Sequence, residues 1–237
     1  VAEFPWNGSF SDARNFALGL CGREWALLLD ADERLVAEDI PKLLELIRAP
    51  DLLGAHFKVM SLLGEGAGQY TVHNALRLLR NDGAHRFVGE IHEQIARVDG
   101  SSVEGRFDIA DIRLIHLGYL DDVARRKDKR GRNLAALKRQ LEREPDNPFT
   151  LFNLGNEYLS MHNYAGAAAL YQRAKDRADF KQAYAPHLMF RRAMAICHMG
   201  DPEGALRALE EGLRLYPGCT DMVYLKGQIL MDLGRDS

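Results

Sequence analysis

Cysteine is scarce: only Cys21, Cys197 and Cys219 occur in 237 residues. They stand far apart and are odd in number, which excludes a disulfide framework and a clustered zinc site, and a reducing cytoplasm is the expected setting. Long apolar runs are missing as well. No stretch approaches the roughly 18 residues that cross a bilayer, and the first residues lack a basic-then-apolar leader pattern, so no membrane span is expected. Charge of one sign is also lacking, with 31 basic against 34 acidic residues and a net charge of −3. Such a balance gives no overall attraction to nucleic acid or to anionic membranes. Basic and aromatic residues are not interleaved as a nucleic-acid surface requires, and a nucleic-acid partner is not expected.

Hydrophobic residues make up 46% of the chain, ordinary for a globular protein, and the length suits two modest domains. Residues 1 to 120 mix short β-like runs with helical stretches, whereas everything after Leu120 reads as helix, so the expected fold class is α/β followed by all-α. In the first part Ser11 or Asp12 can cap a helix through Leu20. An apolar strand runs from Trp25 to Asp30, and Glu38 to Arg48 forms an amphipathic helix with Pro41 in its first turn. His56 to Leu63 and Tyr70 to Arg80 are β-like runs separated by Gly64, Gly66 and Gly68, as in a hairpin or a loose loop. A last strand is expected over Ile112 to Leu117. Residues 121 to 144 form a connecting basic helix with Arg125, Arg126, Lys127, Lys129, Arg130 and Arg132, most simply a solvated face, which Pro145 and Pro148 stop.

Residues 145 to 237 carry a repeat. Leu154-Gly155, Tyr158, Ala167, Tyr171 and Ala174 match the tetratricopeptide spacing. Gly200, Ala205, Leu209 and Pro217 match it again, and a third copy starts near Thr220 with Gly227 and Gly234. Small residues sit where paired helices approach closely, and stacking buries a continuous core. His162 stands where a turn glycine is usual, and an insertion falls around Lys181 to Tyr184. About two and a half repeats result.

The acids closing the "WALLLDADE" segment, Asp30 and Asp32, are two residues apart. In extended backbone they point the same way and can offer hard oxygen ligands to one divalent cation, Mn²⁺ or Mg²⁺, that also binds a diphosphate. The ordinary alternative is a pair of acids in an exposed turn. Further along, "GEIHEQI" offers Glu93 as a general base with Glu90 as substitute, because a carboxylate in a partly dry cleft gains affinity for protons. If that run is extended, Glu90 and Glu93 lie on opposite faces. An amphipathic edge strand is the plain alternative. Arg77, Arg80 and Arg86 supply guanidinium forks suited to phosphate, with surface ion pairing as the alternative for each. Trp6 and Phe10 line a sugar pocket or pack the first helix.

Taken together and in order, "FSDARNFAL", "LLLDADE", "GEIHEQI" and "IHLGY" resemble the family 2 glycosyltransferases of the GT-A fold, in the bacterial subgroup that carries tetratricopeptide repeats behind the catalytic domain. The resemblance implies a partial GT-A domain over residues 1–120, a nucleotide-sugar donor and metal-assisted inverting displacement. It implies Asp32 as a direct metal ligand, Asp30 on the ribose or in the metal's surroundings, His116 as a further ligand, and Arg14 and Asn15 near the nucleotide. His92 would orient the base or bind the acceptor. Family members begin with a nucleotide-binding strand, helix and strand ahead of the point where this chain starts, so the chain is expected to be N-terminally incomplete and inactive alone. A protein or peptide acceptor or partner suits the repeats. The alternative is a repeat-based interaction module with a decayed catalytic domain.

Overall fold

The structure, a computed structural model, describes residues 2–62, 70–117 and 123–235, without the side chains of Leu62 and residues 123–129. The glycine run Gly64, Gly66 and Gly68, the expected boundary at residue 120 and the side chains of Arg125, Arg126, Lys127 and Lys129 lie outside the described residues. The chain divides into two compact units, Val1–Lys129 and Arg130–Ser237.

The first unit holds a mixed sheet. Strands β1 (Trp25–Leu27), β2 (Glu33–Leu35), β3 (Leu52–Leu62), β4 (Tyr70–Arg80) and β7 (Arg106–His116) run in the order β1-β4-β3-β7-β2. β3 and β7 are parallel and the other neighbours antiparallel. A separate hairpin pairs β5 (His85–Val88) with β6 (Gln94–Arg97). β3 shows why the sheet forms: Ala55, Phe57, Val59 and Ser61 are buried while His56, Lys58 and Met60 are half-buried, the period-two signature of a strand. Phe57, Val59, Leu78, Ile112 and Leu114 make a core with Leu43, Leu46 and Ile47; a side chain of this kind contributes about 1.5–3 kcal/mol when fully buried. Leu43 and Leu46 belong to α2 (Ile40–Leu46). A second cluster joins Leu18 of α1 (Phe10–Gly19) to Ala26, Leu79 and Phe87. Successive residues such as Leu78 and Leu79 therefore serve different clusters.

Several expected boundaries move. The strand ends at Leu27, and Glu33 N donates to Asp30 O at 3.0 Å, so Asp30 and Asp32 occupy a turn and not extended backbone. Ser9, not Ser11 or Asp12, caps α1, accepting from Asp12 N at 3.2 Å. The hydroxyl of Ser11 instead donates to Gly89 O. The second helix is shorter than Glu38 to Arg48: a 3₁₀ turn over Ala37–Asp39 leads into α2, with Pro41 in its first turn as expected. The "GEIHEQI" segment bends between β5 and β6, with Gly89 at φ 96° and His92 at φ 54°, because the two strands pair and the chain must reverse.

Asp39, buried in that 3₁₀ turn, fastens it to β7. Its carboxylate accepts from Arg113 Nε at 2.7 Å and Arg113 N at 3.0 Å, and Lys42 Nζ lies 3.0 Å away. The Arg113 bonds hold the carboxyl well below the usual carboxylate range against the opposing cost of burial. Because the folded-state pKa is depressed, this stabilisation is complete above about pH 4 and is lost as pH falls further.

The second unit is helical: the end of α3 (Val123–Arg143), then α4 (Pro148–Ser160), α5 (Tyr164–Lys175), α6 (Ala185–His198), α7 (Pro202–Leu215) and α8 (Thr220–Asp232). Each of α4 to α7 packs on the next. Ala136 and Leu137 of α3 are also buried, and Asn133 Nδ2 donates to Glu157 Oε1 at 3.3 Å, so the stack takes in the end of the connecting basic helix. His162, Gly200 and Gly234 all have left-handed backbone, φ 58°, 82° and 65°. His162 thus holds the turn-glycine position of the first repeat, its Nδ1 2.9 Å from the Tyr164 hydroxyl. The insertion appears as the nine-residue connection 176–184 before α6, against residues 216–219 before α8. Gly155 is required by contact: a Cβ there would come within 2.6 Å of the Tyr171 ring, which is fully buried and donates its hydroxyl to Asn156 Oδ1 at 2.8 Å.

Gly155→Ala is expected to cost about 1–3 kcal/mol by overpacking, read as a lower midpoint in urea unfolding of the helical unit. Asp39→Asn is expected to cost about 1–3 kcal/mol at pH 7 and to flatten the loss of stability below pH 4. Equal acid sensitivity in both proteins would refute the role given to Asp39.

Candidate active site at the end of the sheet

The site is built on an irregularity in β4. In the register with β3, Ala55 pairs with Leu78 and His56 with Leu76, so Arg77 is an extra residue. Such a bulge re-aims a side chain. Arg77 Nε and Nη2 donate to Glu33 Oε2 and Oε1 at 2.8 and 2.6 Å, and Nη2 also reaches Asp30 Oδ2 at 3.1 Å. The Arg77 side chain is 10% exposed and that of Glu33 only 2%, so loss of Arg77 would leave the Glu33 charge buried without compensation, whereas Arg77 has Asp30 as a second partner. Glu33 Oε2 also accepts from Asp30 N at 3.2 Å, and Leu28 N donates to Arg77 O at 2.8 Å. One arginine therefore folds the "LLDADE" turn onto the sheet.

Arg14 links this turn to "GEIHEQI". Its Nε donates to Glu93 Oε1 at 2.8 Å, its Nη2 lies 3.7 Å from Asp30 Oδ1, and its guanidinium sits over the Phe87 ring at 5.7 Å. α1 can deliver Arg14 because its neighbours dock on the hairpin: Asn15 exchanges two 2.8 Å bonds with the backbone of Phe87, and Phe10 N donates to Glu90 O at 2.9 Å. Asn15 is thus a structural clamp in this structure. Glu93, expected in a partly dry cleft, has a side chain 14% exposed and is held in an ion pair with Arg14.

Asp32 and His116 form the other half. His116 Nε2 lies 3.1 Å from Asp32 Oδ2, and His116 Nδ1 lies 3.2 Å from the Ser61 hydroxyl. Leu117 N donates to Asp32 O at 2.9 Å, and Glu33 is paired with His116 in the register of β2 and β7. His73, open to solvent on one side, stands next to this group; partial loss of hydration first, and then Arg77, pull its pKa below the usual histidine value, with Glu33 opposing.

Two sets of side-chain contacts result, Asp30, Glu33, Glu93, Arg14 and Arg77 in one and Asp32, His116 and Ser61 in the other, joined through the backbone of the turn and the β2–β7 register. Arg80 and Arg86 belong to neither. Arg80 donates to Leu52 O at 2.9 Å and Ala49 O at 3.1 Å, pairs with Glu24, and stacks on Trp25 at 4.5 Å, a structural role. Arg86 is exposed on β5 and alternates with buried His85 and Phe87, so it leaves the face that Arg14 covers. Glu90 is half-buried beside the α1 terminus and His92 is exposed in the bend.

The fit to a divalent cation is partial. Asp32 and His116, with side chains 49% and 24% exposed, can offer one oxygen and one nitrogen on the solvent side, enough where phosphates and waters complete the shell. Asp30 is the poorer ligand because both oxygens face guanidinium groups. Among the described residues no group of three or more His, Cys, Asp or Glu is set to hold a metal ion. The four carboxylates exceed the two guanidinium groups by two negative charges, which favours a cation nearby. The sequence reading overlooked Glu33, Ser61 and His73. Glu33 stood in plain view as the last acid of "DADE", but Ser61 and His73 are brought in only by strand register.

Arg77→Met is expected to destabilise the first unit by about 3–5 kcal/mol, because Glu33 would be left buried and unpaired. The double change Arg77→Met with Glu33→Leu is expected to recover most of that loss in thermal unfolding.

A profile of the tetratricopeptide repeat family matches residues 198–237. The chain is 28% identical over 155 residues to the SPbeta prophage-derived glycosyltransferase SunS of Bacillus subtilis, covering 64% of this chain and 35% of that protein. It is 25% identical over 217 residues to a TPR repeat-containing protein of Synechococcus elongatus, covering 88% and 52%. Among solved structures it is similar to MamA, with 20% identity over 48% of this chain and 67% of that one and a TM-score of 0.41. The chain spans about a third to a half of the length of the curated relatives it matches. It carries a tetratricopeptide repeat region and is a distant homologue of a glycosyltransferase.

Proposed function

We propose that this chain belongs to a glycosyltransferase of the family 2 type with a GT-A fold, acting in the cytoplasm on a nucleotide-sugar donor by inverting displacement. The observation that carries the reading is that Arg14, Asp30 and Glu93, from three separate segments, meet in one set of ion pairs, while Asp32 of the same turn meets His116 of a fourth. Chance would scatter them.

In this reading Glu93 receives the proton of the acceptor hydroxyl while that oxygen attacks the anomeric carbon, and the bond to the nucleotide diphosphate breaks on the opposite side. Arg14 orients Glu93 through its 2.8 Å bond, and Glu90 is the alternative base. Asp32 and His116 would hold Mn²⁺ or Mg²⁺, which when bound offsets charge on the departing diphosphate. Asp30 positions Arg14 and Arg77, and its half-exposed carboxylate can meet the ribose. His92, exposed in the bend, suits an acceptor contact.

A protein or peptide acceptor is favoured by the repeats. Arg192, Arg207, Glu211, Ile196 and Met199 line a groove of about 360 Å³ across α6 and α7, a mixture of charged and apolar groups. A pure interaction module with a decayed catalytic domain is the competing reading; it leaves the intact acid and histidine contacts without a purpose.

Titration of uridine diphosphate into the full-length parent protein, as a probe of the nucleotide class, is expected to give heat only with Mn²⁺ present, and Asp32→Asn is expected to abolish it. Equal, Mn²⁺-independent behaviour of both proteins would reject the reading. In the parent protein Glu93→Gln is expected to lower kcat by about 10²–10⁴ with KM little changed.

A further inference from the structure

Glycine is unfavourable inside a helix, so a glycine there calls for a compensating contact. At Gly155 of α4 the contact is a socket: a Cβ would come within 2.6 Å of the Tyr171 ring, and the Tyr171 hydroxyl donates to Oδ1 of the adjacent Asn156 at 2.8 Å. The same positions of the next repeat carry Ala193 on α6 and Leu209 on α7, both fully buried in one core cluster. Glycine thus takes the larger tyrosine ring and alanine the smaller leucine. Gly227 holds the corresponding position of α8 and is again followed by an amide residue, Gln228. Among the described residues, nothing lies within 4 Å of the place a Cβ would take there, so this socket is open.

The rest of that face is open too. Thr220, Val223, Tyr224, Gly227, Gln228 and Met231 are exposed at the spacing of one helix face, without a charge among them, and Asp221 and Asp232 stand to one side. Val223, Tyr224 and Met231 are 53, 68 and 64% exposed, whereas Met222 and Ile229 on the other side of the helix join the core. Tyr224 lies one turn before Gly227 on the open face. Its hydroxyl oxygen accepts from Gln228 Nε2 at 3.2 Å, which leaves its own O–H proton to donate. α8 therefore carries both a socket and a tyrosine of the kind that fills one, and a two-fold axis makes such a surface self-complementary, because residue i meets j while j meets i. Antiparallel packing of two α8 helices puts each Tyr224 on the partner's Gly227 and its O–H beside the partner's Gln228.

We infer that this chain forms a two-fold symmetric dimer through α8, in which Tyr224 of each copy enters the socket at Gly227 of the other and donates to Gln228, repeating between chains the contact that Tyr171 makes within one. The interface continues the helix-on-helix packing already present in the stack, and it stands independently of the glycosyltransferase reading. One helix pair is small for a protein interface, so the dimer is a weak one whose population follows concentration.

Sedimentation equilibrium of the 237-residue chain, over about 1–300 µM as suits a small interface, is expected to show a monomer–dimer equilibrium. Tyr224→Ala removes the plug and Gly227→Gln fills the socket. Each is expected to weaken the dimer at least tenfold, as loss of a central tyrosine contact does, with the far-ultraviolet circular dichroism unchanged. Mixing the two variants is the decisive arm. The mixed pair keeps one intact contact between Tyr224 and Gly227 and sets the two altered positions against each other without a clash, so it is expected to associate more tightly than either variant alone. A mixture no tighter than its components would overturn the reciprocal contact. A wild type that stays monomeric throughout would overturn the dimer, with a helix of the parent protein or a separate peptide left as the occupant of the socket. A dimer unweakened by both variants would place the interface elsewhere and overturn the proposal as well.

Discussion

A guanidinium enclosed by two carboxylates is the constraint on which the first unit's candidate site depends. Arg77 and Glu33 are both nearly cut off from solvent, where an unmatched charge is costly and a bidentate pair is the geometry that offsets the loss of hydration. Their pairing requires the chain after β1 to leave the sheet, turn at Ala31 and Asp32, and come back as β2. The turn that presents Asp32 is therefore a by-product of satisfying Arg77. The bulge in β4 is what allows a strand residue to serve this purpose while Leu76, Leu78 and Leu79 on either side remain packed.

The second dependence is between α1 and the β5–β6 hairpin. Neither is stable alone: a ten-residue helix is marginal in water, and an isolated two-stranded hairpin is equally so. Asn15, Ser11 and Phe10 bond the helix to the backbone of Phe87, Gly89 and Glu90, and Leu18 with Phe87 closes the apolar contact. These neighbours set where Arg14 can reach, and so where Glu93 is held. A single helix register thus places one side of the site, and a single strand register, Ser61 against His116, places the other.

The helical unit obeys a different rule. Its helices meet through Gly155, Ala167, Ala174, Ala193 and Ala205, the last four fully buried, because close approach leaves no room for larger groups. Its turns need left-handed backbone, which explains Gly200 and Gly234 and makes His162 an exception that the structure accommodates by bonding the imidazole to Tyr164. Lys175, Arg192 and Glu211 tie α5, α6 and α7 together at one edge, with bonds of 2.6 and 3.1 Å. Those bonds also hold the Glu211 carboxyl below its usual pKa, overcoming the burial that pushes it up.

Much of this was written in local pattern. Alternation gave β3, β-like composition gave β4, helical spacing and small residues gave the repeats, the acidic motifs pointed to Asp30, Asp32 and Glu93 because a carboxylate is chemistry-bearing wherever it lands, and only the family resemblance pointed to His116. Local pattern failed where a long-range partner decided. The "WALLLD" run reads as one strand, yet it stops at Leu27 because Arg77, some fifty residues away, draws the acids into a turn. "GEIHEQI" alternates like a strand, yet it bends because β5 and β6 must pair. Arg80 and Arg86 look equivalent to Arg77 in sequence, but only the bulge residue reaches the carboxylates. By itself the sequence determined which residues could carry charge, bind or pack, since those properties belong to the side chains. Only the tertiary structure decided which of them meet, and that Ser61, Glu33 and His73 join them, since burial and register are properties of the whole sheet.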